Sequence, residues 1–119
     1  MRRPPHPKII ARQTHQAGLV IAAVALEFGV AEPDFIDPPK ATPHLRFARQ
    51  IAMYLINTVY ELNPSHIARI FSKDRSTVTH AFKVIEESRE DPVLDMKIIH
   101  LENFLRQAPK TVPLKAEAA

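Results

Sequence analysis

The chain has no cysteine, no tryptophan and only two glycines among its 119 residues. Without cysteine there is no disulfide, no thiolate nucleophile and no zinc-thiolate site, a composition that suits a reducing cytoplasm. The shortage of glycine excludes the loops that cradle phosphates. Neither G-x-x-x-x-G-K nor G-x-G-x-x-G occurs, so the sequence carries no visible machinery for nucleotide hydrolysis or dinucleotide binding. Long apolar runs are missing as well. The most apolar stretch, Ala17 to Leu26, falls far short of the ~20 residues that span a bilayer and reads as a buried helix. Arg2 and Arg3 ahead of it suggest a leader, but Pro4, Pro5, Pro7 and the polar run Gln13 to Gln16 do not fit one. Strand-like alternation of aromatic and polar residues is also absent, which points to an all-α protein.

What is present is apolar helix-forming sequence and unevenly placed charge. The length suits one domain rather than two. The net charge is only +3, yet residues 40 to 83 hold seven basic side chains against two acidic ones, a local +5. Residues 84 to 105 reverse this, with two basic and six acidic side chains, a local −4. A basic middle beside an acidic end describes a polarised molecule that meets a polyanion with one face.

The first eight residues, with three prolines, read as a flexible arm. A first helix is expected from about Ile9 to Phe28, with Leu19, Val20, Ala23, Val24 and Phe28 inward and a stop near Gly29. Four prolines between Glu32 and Pro43 exclude a long helix there. A second helix, about His44 to Tyr60, repeats Phe47, Ile51, Leu55 and Val59 every four residues, with Ala48 and Ala52 allowing close packing. Asn63 or Ser65 can cap a third helix carrying Ile67, Ile70 and Phe71 inward. Ser72 and Lys73 form a turn, and Asp74 or Ser76 caps a fourth helix. Asp91-Pro92 starts a fifth, with Leu94, Ile98, Leu101 and Leu105 inward. Met53, Tyr54 and Phe82 belong to the core. The expectation is a bundle of about five helices over residues 9 to 108, followed by a disordered tail from 109 to 119.

The third and fourth helices and their turn have the pattern of a helix-turn-helix. The fourth keeps Val78, Ala81, Phe82 and Ile85 on one stripe, while its other side offers Arg75, Ser76, Thr77, Thr79, His80 and Lys83. Such side chains suit base edges and phosphates in a major groove. At the start of the second helix Arg46, Arg49 and Gln50 lie where free backbone N–H groups favour anions, a candidate phosphate clamp. Other chemistries fare worse. None of the six histidines lies three or four residues from another, so no metal or other cofactor is expected. Asp74, Ser76 and His80 contain the letters of a hydrolase triad, but on one exposed helix they lack a pocket and an oxyanion hole, so no enzyme is expected.

Three strings carry a family resemblance: Ala48-Arg-Gln-Ile-Ala-Met-Tyr-Leu55, Ile67-Ala-Arg-Ile-Phe71, and Lys73-Asp-Arg-Ser-Thr-Val-Thr-His-Ala81 followed by Ile85-Glu86. Together they resemble the C-terminal helix-turn-helix domain of the bacterial replication initiators of the DnaA family, over about residues 12 to 107. The resemblance implies that Lys73, Asp74, Arg75 and Ser76 read bases and that Thr77 and His80 grip phosphate. It also implies that Arg49 and Gln50 hold the DNA backbone. Ser65 and Lys83 complete the candidate contacts.

The chain departs from the family pattern in three places. Ser72 alone stands where two glycines are usual, shortening the turn by one residue. Arg75 replaces a common histidine, which implies a changed base preference. The loop Asp37 to His44 keeps only Lys40 of the basic residues with which the family enters the minor groove, implying weaker reading of the initiator's own box. The expected protein is therefore a stand-alone domain without the initiator's ATPase part. It binds double-stranded DNA with sequence preference, in the cytoplasm at the nucleoid and not at a membrane, and regulates replication initiation or transcription. The alternative is a module of the same fold that binds a replication or regulatory protein, and such a protein partner is the second partner expected.

Overall fold

A computed structural model describes residues 7–40 and 42–108, with side chains from residue 12 onward. The described residues form six helices: α1 (Pro7–Phe28), α2 (Pro33–Ile36), α3 (Pro43–Tyr60), α4 (Pro64–Phe71), α5 (Arg75–Ser88) and α6 (Pro92–Gln107). No strand occurs among the described residues, and the all-α expectation is met. Of the arm expected over residues 1 to 8, only Pro7 and Lys8 are described, and both belong to α1. The tail expected from residue 109 lies outside the described residues.

α3 is the centre of the molecule and packs against all five other helices. The every-fourth-residue pattern understates its burial. Ala48, Ile51, Ala52 and Leu55 are fully buried, but Met53, Tyr54 and Ile56 are buried too, so the helix is enclosed on several sides. α1 and α6 lie against one side of α3, and α5, with α4 behind it, against another. A single core results, with Phe35, Ile67, Phe71, Val78, Ile85, Ile98 and Leu105 closed to solvent around the α3 residues.

The buried face of α1 is turned from the expected one. Ala17, Val20, Ile21, Val24 and Ala25 face inward, whereas Leu19, Ala23 and Phe28 are only half-buried. Gly29 ends the helix as expected, at φ 65°, where Val30 N–H reaches back to Ala25 O at 3.0 Å. The proline-rich stretch contains the one-turn α2, which exists to bury Phe35. Pro33 at its first turn loses no helix hydrogen bond. Thr42, not singled out in the sequence, caps α3 by accepting from Leu45 N–H at 3.1 Å. Asn63 rather than Ser65 caps α4, accepting from His66 N–H at 2.9 Å.

Asp91 caps α6 as its sequence predicts, accepting from Val93 N–H at 3.0 Å ahead of Pro92. The inward stripe of α6 is the expected one, with Ile98, Leu101 and Leu105 buried and Leu94 half-buried.

Candidate nucleic-acid interface

The α4–turn–α5 corner is built from two devices. α4 ends at Ser72, which adopts the left-handed conformation at φ 53°. Ser72 N–H bonds Arg69 O at 3.3 Å and Lys73 N–H bonds Ala68 O at 2.9 Å, the paired closure that usually employs glycine. Serine is strained there, because its Cβ crowds the backbone in this region. α5 then begins after Asp74, and the expected side-chain cap is not made. The Asp74 backbone carbonyl takes Thr77 N–H at 3.1 Å and Val78 N–H at 3.3 Å, and its exposed carboxylate has no partner among the described residues. Ser76 likewise makes no cap; its backbone carbonyl accepts from the Thr79 hydroxyl at 3.1 Å.

α5 is anchored by Val78, Ala81 and Ile85, all buried, with Phe82 half-buried beside them. That stripe turns Arg75, Ser76, Thr77, Thr79, His80 and Lys83 to solvent. Among the described residues, no acidic side chain pairs with Lys73, Arg75 or Lys83, because the ion pairs found all centre on Arg89.

The start of α3 and the start of α5 meet at a cleft of about 270 Å³. Arg46, Arg49 and Gln50 line it from α3, and Lys73, Thr77 and His80 from the turn and α5. Of the ten candidate contacts, the cleft gathers Arg49, Gln50, Lys73, Thr77 and His80. Asp74, Arg75, Ser76 and Lys83 are exposed along α5 and its approach, outside the cleft, and Ser65 is exposed at the first turn of α4. Arg46 belongs with the set by position. Its place one turn before Gln50 was the sequence signal.

Arg49 has a structural task in addition to any external one. It is only 8% exposed, its Nε donates to Phe35 O at 2.8 Å, and its guanidinium carbon lies 6.0 Å from the centre of the Phe71 ring. It thereby ties α2 and the end of α4 to α3. Burial pulls its pKa down from the ordinary arginine value. Its Nη2 is buried with no hydrogen-bond partner among the described residues.

The opposite corner, where α5 meets α6, holds charge of another kind. Arg89 donates from Nε to Asp95 at 2.6 Å and from Nη1 to the Tyr54 hydroxyl at 3.0 Å, and its Nη1 lies 3.5 Å from Glu102. The Tyr54 hydroxyl in turn donates to Glu86 at 2.6 Å. Burial lowers the Arg89 pKa, but the bonds to Asp95 and Tyr54 and the nearby Glu102 charge outweigh it, so the net shift is upward. Burial first, then the bond to Glu86, raises the Tyr54 pKa. Part of the acidic excess of residues 84 to 105 is thus consumed inside the protein. No described helix is long and apolar enough to cross a membrane, and the described residues hold no cluster of metal-ligating side chains.

Comparison with known proteins bears on the same corner. Residues 18–85, which run from α1 through most of α5, match the family described as the bacterial dnaA protein helix-turn-helix. The chain is 35% identical over 68 residues to the chromosomal replication initiator protein DnaA of Thermoanaerobacter sp., covering 56% of this chain and 15% of that protein. It is 33% identical over 88 residues to the DnaA of Deinococcus radiodurans, covering 73% of this chain and 19% of the relative. With the DnaA of Desulfotalea psychrophila it shares 29% over 96 residues, 80% of this chain and 20% of the relative. The chain therefore spans a fifth or less of the length of these relatives. On the match of more than half its length, and on a helix-turn-helix whose polar face is turned outward, this chain belongs to the bacterial DnaA helix-turn-helix family of DNA-binding domains.

Proposed function

We propose that this domain binds double-stranded DNA with sequence preference, the N-terminal half of α5 entering the major groove and the start of α3 resting on the sugar-phosphate backbone. The observation that carries the reading is the convergence of Arg46, Arg49, Gln50, Lys73, Thr77 and His80 from separate elements on one cleft. Arg75 and Asp74 are the base readers in this proposal. A guanidinium can bridge guanine O6 and N7, and a free carboxylate can accept from a cytosine amino group, each worth about 1–3 kcal/mol of discrimination. Lys83, one turn beyond His80, reaches a flanking phosphate, and Ser65 and Ser76 add hydroxyl contacts.

The physiological role we propose is regulation of replication initiation or transcription, by occupying initiator-like sites at the nucleoid. The chain's kinship with proteins named chromosomal replication initiators supports this. The charge-poor loop from Asp37 and the Arg75 substitution favour a site that differs from the initiator's own. Selection of bound duplexes from a random pool tests the proposal. An enriched motif with at least one guanine that Arg75→Ala no longer demands is the expected result. Equal recovery of all sequences would refute sequence reading.

A further inference from the structure

The first 26 residues of the chain hold four basic side chains, Arg2, Arg3, Lys8 and Arg12, and no acidic one. The cleft uses none of them. The first half of α1 faces α4 across two neighbouring hollows of about 380 Å³ each. Arg69 lines one hollow, Arg12 the other, and Gln13 and His66 line both. Arg12 and Arg69 are exposed and His66 is half-buried. The ion pairs found among the described residues centre on Arg89, so neither arginine has an acidic partner there. Glu61 is the only acid lining either hollow, and it stands in neither of those ion pairs.

α4 connects this seam to the cleft. Ser65 and Arg69 lie four residues apart on one face of the helix, about 6 Å along its axis. Lys73 follows after four more residues, in the turn where its N–H closes on Ala68 O, and its side chain lines the cleft. The cationic run therefore leaves the cleft at Lys73 and continues through Arg69 toward Ser65, with Arg12 across the seam. A basic segment free of acids, set against an unpaired arginine, is the electrostatic footprint of a polyanion. The floor of the Arg69 hollow is apolar and open: Ile21 and Ile70 line it, and a Cβ at Gly18 would meet nothing within 4 Å. Deoxyribose presents apolar faces between its phosphates, so a DNA strand suits both the floor and the rim.

We propose that the outer face of α4 and the start of α1 hold the backbone of the duplex flanking the recognised site, with Arg69 and Arg12 on phosphates and His66 adding an imidazole N–H. This rests on the reading that α5 enters the major groove at that site. Contacts of this kind position the protein and carry no base information. From Lys73 to Ser65 the run spans about 12 Å, or about four base steps.

The test compares affinity for duplexes carrying the selected motif with flanks of about two and about eight base pairs of arbitrary sequence, shorter and longer than that run. The longer duplex should bind the unaltered protein about tenfold more tightly, and Arg69→Ala and Arg12→Ala should each remove about three- to fivefold of that gain, the yield of an exposed charge pair. Arg69→Lys should retain most of it. On the longer duplex the slope of log affinity against log salt should become shallower by about 0.9 for each arginine removed, with no change on the shorter one. Melting curves of the variants should match that of the unaltered protein, and uncharged methylphosphonate linkages in the flank should reproduce the loss without any substitution. Arg75→Ala should keep the flank gain while losing base preference. Equal affinity for the two duplexes, or a gain that survives both substitutions, would overturn the proposal and leave the base reading of α5 standing. Failure of that base reading shows instead as equal affinity for motif and scrambled duplexes of one length.

Discussion

The two charged corners of this molecule contain similar residue types and put them to opposite uses. Around Arg89 every charge has an internal partner: Asp95, Glu102 and, through the Tyr54 hydroxyl, Glu86. Around α5 the cations Lys73, Arg75 and Lys83 have none among the described residues, and Asp74 forgoes even the cap bond open to it. Among paired, partly buried charges, removing one partner strands the others at a cost in stability. Unpaired charges on a well-anchored helix contribute little to stability and remain available to a ligand. Composition alone does not separate the two corners. What separates them is whether the fold places an opposite charge within reach.

Substitutions in the two corners should therefore fail in different assays. The largest effect is expected from Arg89→Ala, which leaves Glu102 half-stranded and removes the link between α3, α5 and α6. Unfolding free energy should fall by about 2–3 kcal/mol by denaturant titration, with little change in the DNA affinity of the folded protein. Arg75→Ala should do the reverse. DNA affinity should fall by about 1–3 kcal/mol and one base position should relax, while the denaturation midpoint stays in place. If Arg75→Ala also lowered stability by as much, the contrast between the corners would be broken.

Tyr54→Phe sharpens the contrast within the paired corner. Removing the hydroxyl that bridges Glu86 and Arg89 should cost about 1 kcal/mol of stability and leave DNA binding unchanged. The pH dependence follows from the sign of the shift. Burial raises the Tyr54 and Tyr60 pKa values in the folded state, so the unfolded chain loses these protons first as pH rises. Their stabilising effect is complete at neutral pH and declines above about pH 10, as pH climbs through the folded values. The alkaline decline should be shallower in Tyr54→Phe. The smallest effect is expected at the turn. Ser72→Gly relieves the left-handed strain and should raise stability by about 0.5–1 kcal/mol, read as a higher denaturation midpoint.

Much of the fold is legible in the sequence because its signals are local. Gly29 stops α1, Asn63 caps α4, Asp91-Pro92 opens α6, and the apolar spacing of α5 turns its polar residues outward. The hidden parts depend on partners distant in the chain. Arg89 meets Tyr54 across 35 residues, and Arg49 meets Phe35 and Phe71, so no sequence window shows that one basic residue is a brace and another is free. The facing of α1 is set by what packs on it, and a proline-rich stretch gives no cue for the single turn that buries Phe35. At the candidate site the residue types and their neighbours on α5 were readable. That Arg49 is largely enclosed follows only from the packing of α3.

The claim on which the account turns is that the unpaired cations meet phosphate. Measuring affinity for a duplex carrying the selected motif, across a range of salt concentrations, tests it most directly. With about five phosphates contacted, the logarithm of affinity should fall with the logarithm of salt at a slope between about −4 and −5. A slope near zero would contradict the account and favour a protein as the partner of this fold.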